Sequence, residues 1–131
     1  MQLQDLQSGH EFPAERLVIS ADDAEAYALA VGDESAHPSE RVPAMAVIAA
    51  GLSRFISHLG LADGSVEVVH ASQEVSFHRP VSPGEPIEIR AVLKSNAERQ
   101  GSRFATVEMS FVDVSGAQVA ESSSLIIVNA S

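Results

Sequence analysis

Between residues 66 and 128 the chain alternates apolar and polar side chains in four successive segments, and nothing else constrains its fold as tightly. Ile87, Ile89, Ala91 and Leu93 alternate with Glu88, Arg90, Val92 and Lys94. Ala105, Val107, Met109 and Phe111 alternate with Thr106, Glu108 and Ser110. A strand sends successive side chains to opposite faces, so these rows describe a sheet with one buried face. Strands are predicted over 66–79, 86–95, 102–114 and 118–128. Ser82-Pro83-Gly84, the stretch Asn96 to Gly101, and Ser115-Gly116 are the turn signals between them. Links this short join antiparallel neighbours.

A sheet with one apolar face must be covered. The cover is expected from residues 43–59, a helix opening at Pro43, which suits the first helical position, and closing at Gly60. Its first half, Ala44-Met-Ala-Val-Ile-Ala-Ala-Gly51, shows almost no polar side chain, so it is expected to be buried on most sides. A shorter helix is predicted over 21–31, capped by Ser20 with Asp23 three residues on and stopped by Gly32. Tyr27 is expected to pack that helix on the core. Residues 33–42 are a polar loop containing Pro38, and Ala62-Asp63-Gly64 is a turn. The fold class is α+β, an antiparallel sheet packed on a central helix.

The chain has 131 residues, which suits one domain over 1–131. No apolar run reaches the roughly 18–20 residues of a membrane span. No secretory leader pattern opens the chain, and a cytoplasmic location is expected. There are no cysteines, which excludes disulfides, thiolate catalysis and Cys-based zinc sites. The histidines His58, His70 and His78 show no ligand spacing with each other or with carboxylates, so no metal is expected. The net charge of −10 disfavours nucleic acid and anionic membrane as partners.

Three stretches together resemble the MaoC-like (R)-hydratase/dehydratase family. Tyr27-Ala-Leu-Ala-Val-Gly-Asp33 with His37 is similar to its Gly-Asp…Asn-Pro-x-His segment. Arg41-Val-Pro-Ala-Met-Ala-Val-Ile-Ala49 falls where its central helix begins. His70 to Glu85, with Gln73, Phe77, Pro80, Val81 and Gly84 in place, resembles its second-strand signature. The departures are definite. Asp33 and His37 stand four positions apart where the family has five, Ser35 and Ala36 replace Asn and Pro, and Pro43-Ala44 replaces His-Gly.

The resemblance implies a hot-dog fold, a curved sheet wrapped around one long helix. It also implies reversible hydration of a trans-2-enoyl-CoA or enoyl-carrier thioester to the 3-hydroxyacyl thioester, a lyase of fatty acid metabolism that needs no cofactor. Asp33 and His37 would be the catalytic acid–base pair, and the backbone N–H of Ala44 or Met45 would hold the thioester oxygen. His78 and Arg79 would contact phosphates of the coenzyme A or pantetheine arm. The departures open an alternative, a non-catalytic hot-dog subunit of a heteromeric dehydratase that binds the acyl chain. Thioester hydrolysis is less favoured, because residues 43–59 hold no Asp or Glu that could activate water. Long strands leave sheet edges open, so a dimer, homomeric or with another hot-dog subunit, is expected. Gln73 is expected to hydrogen-bond across such a strand pair. Acyl chain length and the nature of the carrier are not encoded in any motif.

Overall fold

The computed structural model describes residues 3–32, 42–61 and 66–130. A 3₁₀ turn at Leu3–Asp5 precedes two short strands, β1 (His10–Glu11) and β2 (Glu15–Leu17). Helix α1 (Ala21–Ala30) follows, then α2 (Ala44–His58) and four long strands, β3 (Val66–Phe77), β4 (Ile87–Arg99), β5 (Ser102–Val112) and β6 (Gln118–Ala130). Among the described residues the strands form one antiparallel sheet in the order β1-β4-β5-β6-β3, with β2 also paired to β4. β1 and β2 therefore share one edge, along β4, while β3 forms the other. Bulges lie between His70 and Ser72, Leu93 and Ser95, and Phe111 and Val112. Each adds local twist and bends its strand.

The alternation does place the core. Ile87, Ile89 and Leu93 of β4 and Ala105, Val107, Met109 and Phe111 of β5 are all buried. Helix α2 covers them with Ala46, Val47, Ile48, Leu52 and Phe55. Gly51 lets the sheet approach the helix backbone. A Cβ there would stand 2.8 Å from both Cε1 and Cζ of Phe111.

α2 is buried on one side only, not on most sides as expected. Met45, Ala49, Ser53 and Ser57 face outward, and Ala44 and His58 are exposed at the two ends of the helix. The sheet covers one face of the helix, and small side chains on the other gave the sequence its apolar appearance. The caps are close to expectation. Ser20 Oγ accepts from the Asp23 N–H at 3.1 Å, and Gly32 and Gly60 take positive φ after α1 and α2. Pro43 stands at the cap of α2, one position before the helix proper. Tyr27 packs on the core as expected.

The turn expected from Asn96 to Gly101 is shorter in the structure. β4 runs on to Arg99 and turns at Gln100-Gly101, with φ of 52° and 85°. Two successive residues at positive φ are the mark of the tight hairpin turn that matches strand twist. Asn96 lies inside the strand because its side chain is used there. Its Nδ2 donates to the carbonyls of Leu3 and Leu6, and its Oδ1 accepts from Arg103. The turn expected at Ala62-Asp63-Gly64 lies outside the described residues.

Candidate functional site

Two features lie along α2. The first is its opening turn. The first-turn N–H groups of any helix have no partner inside it and carry its positive dipole end. Pro43 supplies no side-chain cap here, and Ala44 and Met45 are exposed. The turn is anchored one step upstream, where the Val42 N–H donates to the Val81 carbonyl at 2.7 Å. Both valines are buried.

The second feature is a cavity of about 300 Å³ beside the C-terminal half of α2. Its walls are mainly apolar: Phe12 before β2, Gly51 and Phe55 on the helix, and Ile89, Ala91 and Met109 on the sheet. Phe12 and Phe55 meet edge to face with centroids 5.0 Å apart. Glu15 and His58 also line the cavity, and their side chains pair at 2.8 Å. Residues 44, 48, 51, 55 and 58 share one helix face, so cavity and opening turn lie on one stripe.

The expected phosphate contacts are placed differently. His78 is exposed, with Nε2 3.8 Å from Glu121 Oε1. Arg79 is occupied. Its two terminal nitrogens donate to both Glu85 oxygens, to Asp113 Oδ2 at 2.9 Å and to the Pro80 carbonyl at 2.8 Å. These contacts hold the guanidinium more firmly protonated than usual, with Glu85 the larger cause and Asp113 next. The carboxyl of Glu85 is lowered chiefly by Arg79. That of Asp113 is pushed well below the usual range, first by the Ser115 hydroxyl and then by Arg79. A guanidinium facing two carboxylates presents no net positive field to a phosphate.

Asp33 and His37 lie outside the described residues. The antiparallel bridge of Val42 with Val81 ties the residue before the α2 cap to the loop after β3. Gln73 donates to Ser124 Oγ of its own chain at 3.4 Å. The cavity, the Glu15–His58 pair and the role of Asp113 were not anticipated. Among the described residues no group of three His, Cys, Asp or Glu is placed to hold a metal ion, and no helix is long and apolar enough to cross a membrane.

The sequence profile of the FAS1-like dehydratase domain region matches residues 7–122. The chain belongs to this family. No curated protein sequence matches it. Solved structures that resemble this FAS1-like dehydratase-region chain include the MaoC-like dehydratase from Rhodospirillum rubrum, with 18% identity and a TM-score of 0.72 over 100% of this chain and 98% of that one. The C-terminally truncated 3R-hydroxyacyl-ACP dehydratase complex HadBC from Mycobacterium tuberculosis is 18% identical, with a TM-score of 0.66 over 92% and 96%. The (R)-hydratase from A. caviae involved in PHA biosynthesis is 20% identical, with a TM-score of 0.65 over 94% and 97%. At these identities the likeness is one of fold, and the fold is the hot-dog α+β arrangement of MaoC-like proteins.

Proposed function

We propose that this FAS1-like dehydratase-region chain hydrates and dehydrates acyl thioesters. One observation carries the reading: an exposed, uncapped helix start and an apolar cavity lie on the same stripe of α2, in a chain of a dehydratase family. A thioester carbonyl at Ala44 or Met45 would find N–H donors and a positive dipole end where enolate charge develops. Gly51 lies seven residues further, about 10 Å along the axis. An acyl tail would span that distance to the cavity if the buried Ile48 between them moves aside.

In the hydration direction Asp33 and His37 share one water. Its oxygen bonds to C3 of the enoyl group as the pair takes one of its protons, a proton from the pair goes to C2, and the charge held on the thioester oxygen returns to the carbonyl. The reverse expels water. His78 is kept as a contact to the carrier arm, and Arg79 is assigned to structure. The substrate is an enoyl or 3-hydroxyacyl thioester of coenzyme A or a carrier protein.

The alternative, a binding subunit that works beside a catalytic one, is favoured by the shortened Asp33-to-His37 spacing and by the missing Asn and Pro. Either form would pair through β3, whose outer edge has no partner strand among the described residues, and would cover the open face of α2. Loss of enoyl absorbance from crotonyl-CoA and longer enoyl-CoAs, abolished in Asp33→Asn and His37→Asn, is the expected result. A pure homodimer with no turnover at any chain length would overturn catalysis and leave the binding subunit.

A further inference from the structure

The connection between β3 and β4 ties down two other parts of the chain. The Gly84 N–H donates to the Ile19 carbonyl at 2.8 Å, and the Val81 carbonyl accepts from the Val42 N–H at 2.7 Å. Ile19 stands just before α1 and Val42 just before α2. One short loop therefore holds both ends of the stretch 20–41, in which Asp33 and His37 fall. Ile19, Val42 and Val81 are all buried, so neither tie is a surface accident.

The loop is held in turn. Glu85 and Ser82 bond to each other through Glu85 N–H to Ser82 carbonyl at 3.0 Å and Ser82 N–H to Glu85 Oε1 at 3.1 Å. Arg79 grips this unit at the Pro80 carbonyl and at both Glu85 oxygens. It also reaches Asp113 at the end of β5, 34 residues away in sequence. Asp113 is itself fixed, because its Oδ1 accepts from the Ser115 N–H, the Ser115 hydroxyl and the Ala117 N–H. An unbroken line of contacts thus runs from the β5–β6 turn through Arg79 to both ends of the 20–41 stretch.

We infer that Arg79 is a positioning residue: by fastening the 80–85 loop to Asp113, it sets where the chain enters α1 after Ile19 and α2 after Val42. Only a planar fork can meet two carboxylates and a carbonyl together, so Lys cannot substitute. The tie itself is independent of function, while its catalytic consequence rests on the proposed hydratase reading. Displacing the helix start moves the proposed oxyanion donors at Ala44 and Met45 without removing the acyl-binding cavity, which lies farther along α2.

Two measurements on Arg79→Gln, Arg79→Lys and Asp113→Asn test this. Hydrogen exchange is expected to quicken about tenfold or more at the Val42 and Gly84 amides, while the mid-ladder amides Val107 and Ile126 change by less than about twofold. In the same variants kcat for enoyl-thioester hydration is expected to fall about tenfold or more with KM within about twofold. Unchanged exchange at the two amides, or a rise shared equally by Val107 and Ile126, would overturn the tie. Quickened exchange with kcat intact, or full rescue by Lys, would overturn the positioning role. A wild-type chain with no turnover would refute the hydratase reading instead, and the exchange data would then decide the tie alone.

Discussion

Nε2 of His58, in the last turn of α2, lies 2.8 Å from Oε1 of Glu15 in β2, 43 residues earlier in the chain. Beside this contact Arg54 donates to the Arg16 carbonyl at 2.6 Å. The two contacts fasten α2 to the strands on the β4 edge and put a hydrogen-bonded His–Glu pair into the wall of an apolar cavity. An alkyl chain long enough to reach that pair would have to displace water from it without replacing its hydrogen bonds. On the proposed function, this pair therefore limits acyl length. Ala91→Phe, which fills the cavity from β4, is expected to lower kcat/KM for long enoyl-CoAs about tenfold or more and to spare crotonyl-CoA. A chain-length series on wild type and variant checks it. A uniform loss at every length would place the tail elsewhere.

Gly51→Ala tests the helix–sheet contact. The new Cβ meets the Phe111 ring at 2.8 Å, and Phe111 has no exposed surface into which to retreat. Overpacking of this kind costs about 1–3 kcal/mol, and the better helix propensity of Ala returns about 0.5–1 kcal/mol of it. A net loss of roughly 1–2 kcal/mol is expected, read as a lower urea midpoint at unchanged slope. Phe111→Leu in the Gly51→Ala background should recover part of it, since the two sites touch.

The open edge of β3 selects its own pairing. Pairing with β6 puts Val66, Val68 and His70 on the inner face, opposite Ala130, Val128 and Ile126. Beyond the bulge it puts Gln73, Val75 and Phe77 inward, opposite Ser124, Ser122 and Ala120. Directly opposed residues share a face. An antiparallel two-fold pair of β3 strands that uses the whole strand and keeps like faces together sets Val66 against Phe77, Val68 against Val75 and Val69 against Glu74. The chain has no cysteine to interfere. Val69→Cys with Glu74→Cys in one chain should oxidise to a covalent dimer, whereas Glu67→Cys with Glu74→Cys, one pleat out of register, should not. Equal cross-linking by both would exclude this register.

Acid should loosen the Arg79 clasp. The carboxyls of Asp113 and Glu85 are both lowered in the folded chain. A depressed carboxyl contributes stability that is present above its unfolded value and lost as pH falls through its folded one. Arg79, raised instead, contributes stability present throughout the working range and lost only in strong alkali. The urea midpoint of the wild type is thus expected to drop between about pH 5 and about pH 2. Asp113→Asn should be less stable at neutrality and show a shallower drop. Parallel curves for the two proteins would contradict this.

The four long strands, the inner rows of β4 and β5, the cap at Ser20 and the helix stops at Gly32 and Gly60 were all legible in the chain. Each depends on the pleat, the helical turn or the φ freedom of one residue, and these are properties of neighbours a few positions apart. The Gly32-Asp33 and His70-to-Glu85 motifs pointed to the family for the same reason. Other features depended on residues that meet only after folding. Asn96 looked like a turn residue because its partner carbonyls are Leu3 and Leu6. Arg79 looked like a free cation because Asp113 lies 34 residues further along the chain, just past β5. The cavity beside α2 has walls from before β2, from the helix and from two strands, so no local pattern could announce it. Period and propensity along the sequence determined which elements form and which faces are apolar. The tertiary structure alone decided which charges are neutralised and where space remains, because ion pairs and cavities depend on distances that the order of residues does not contain.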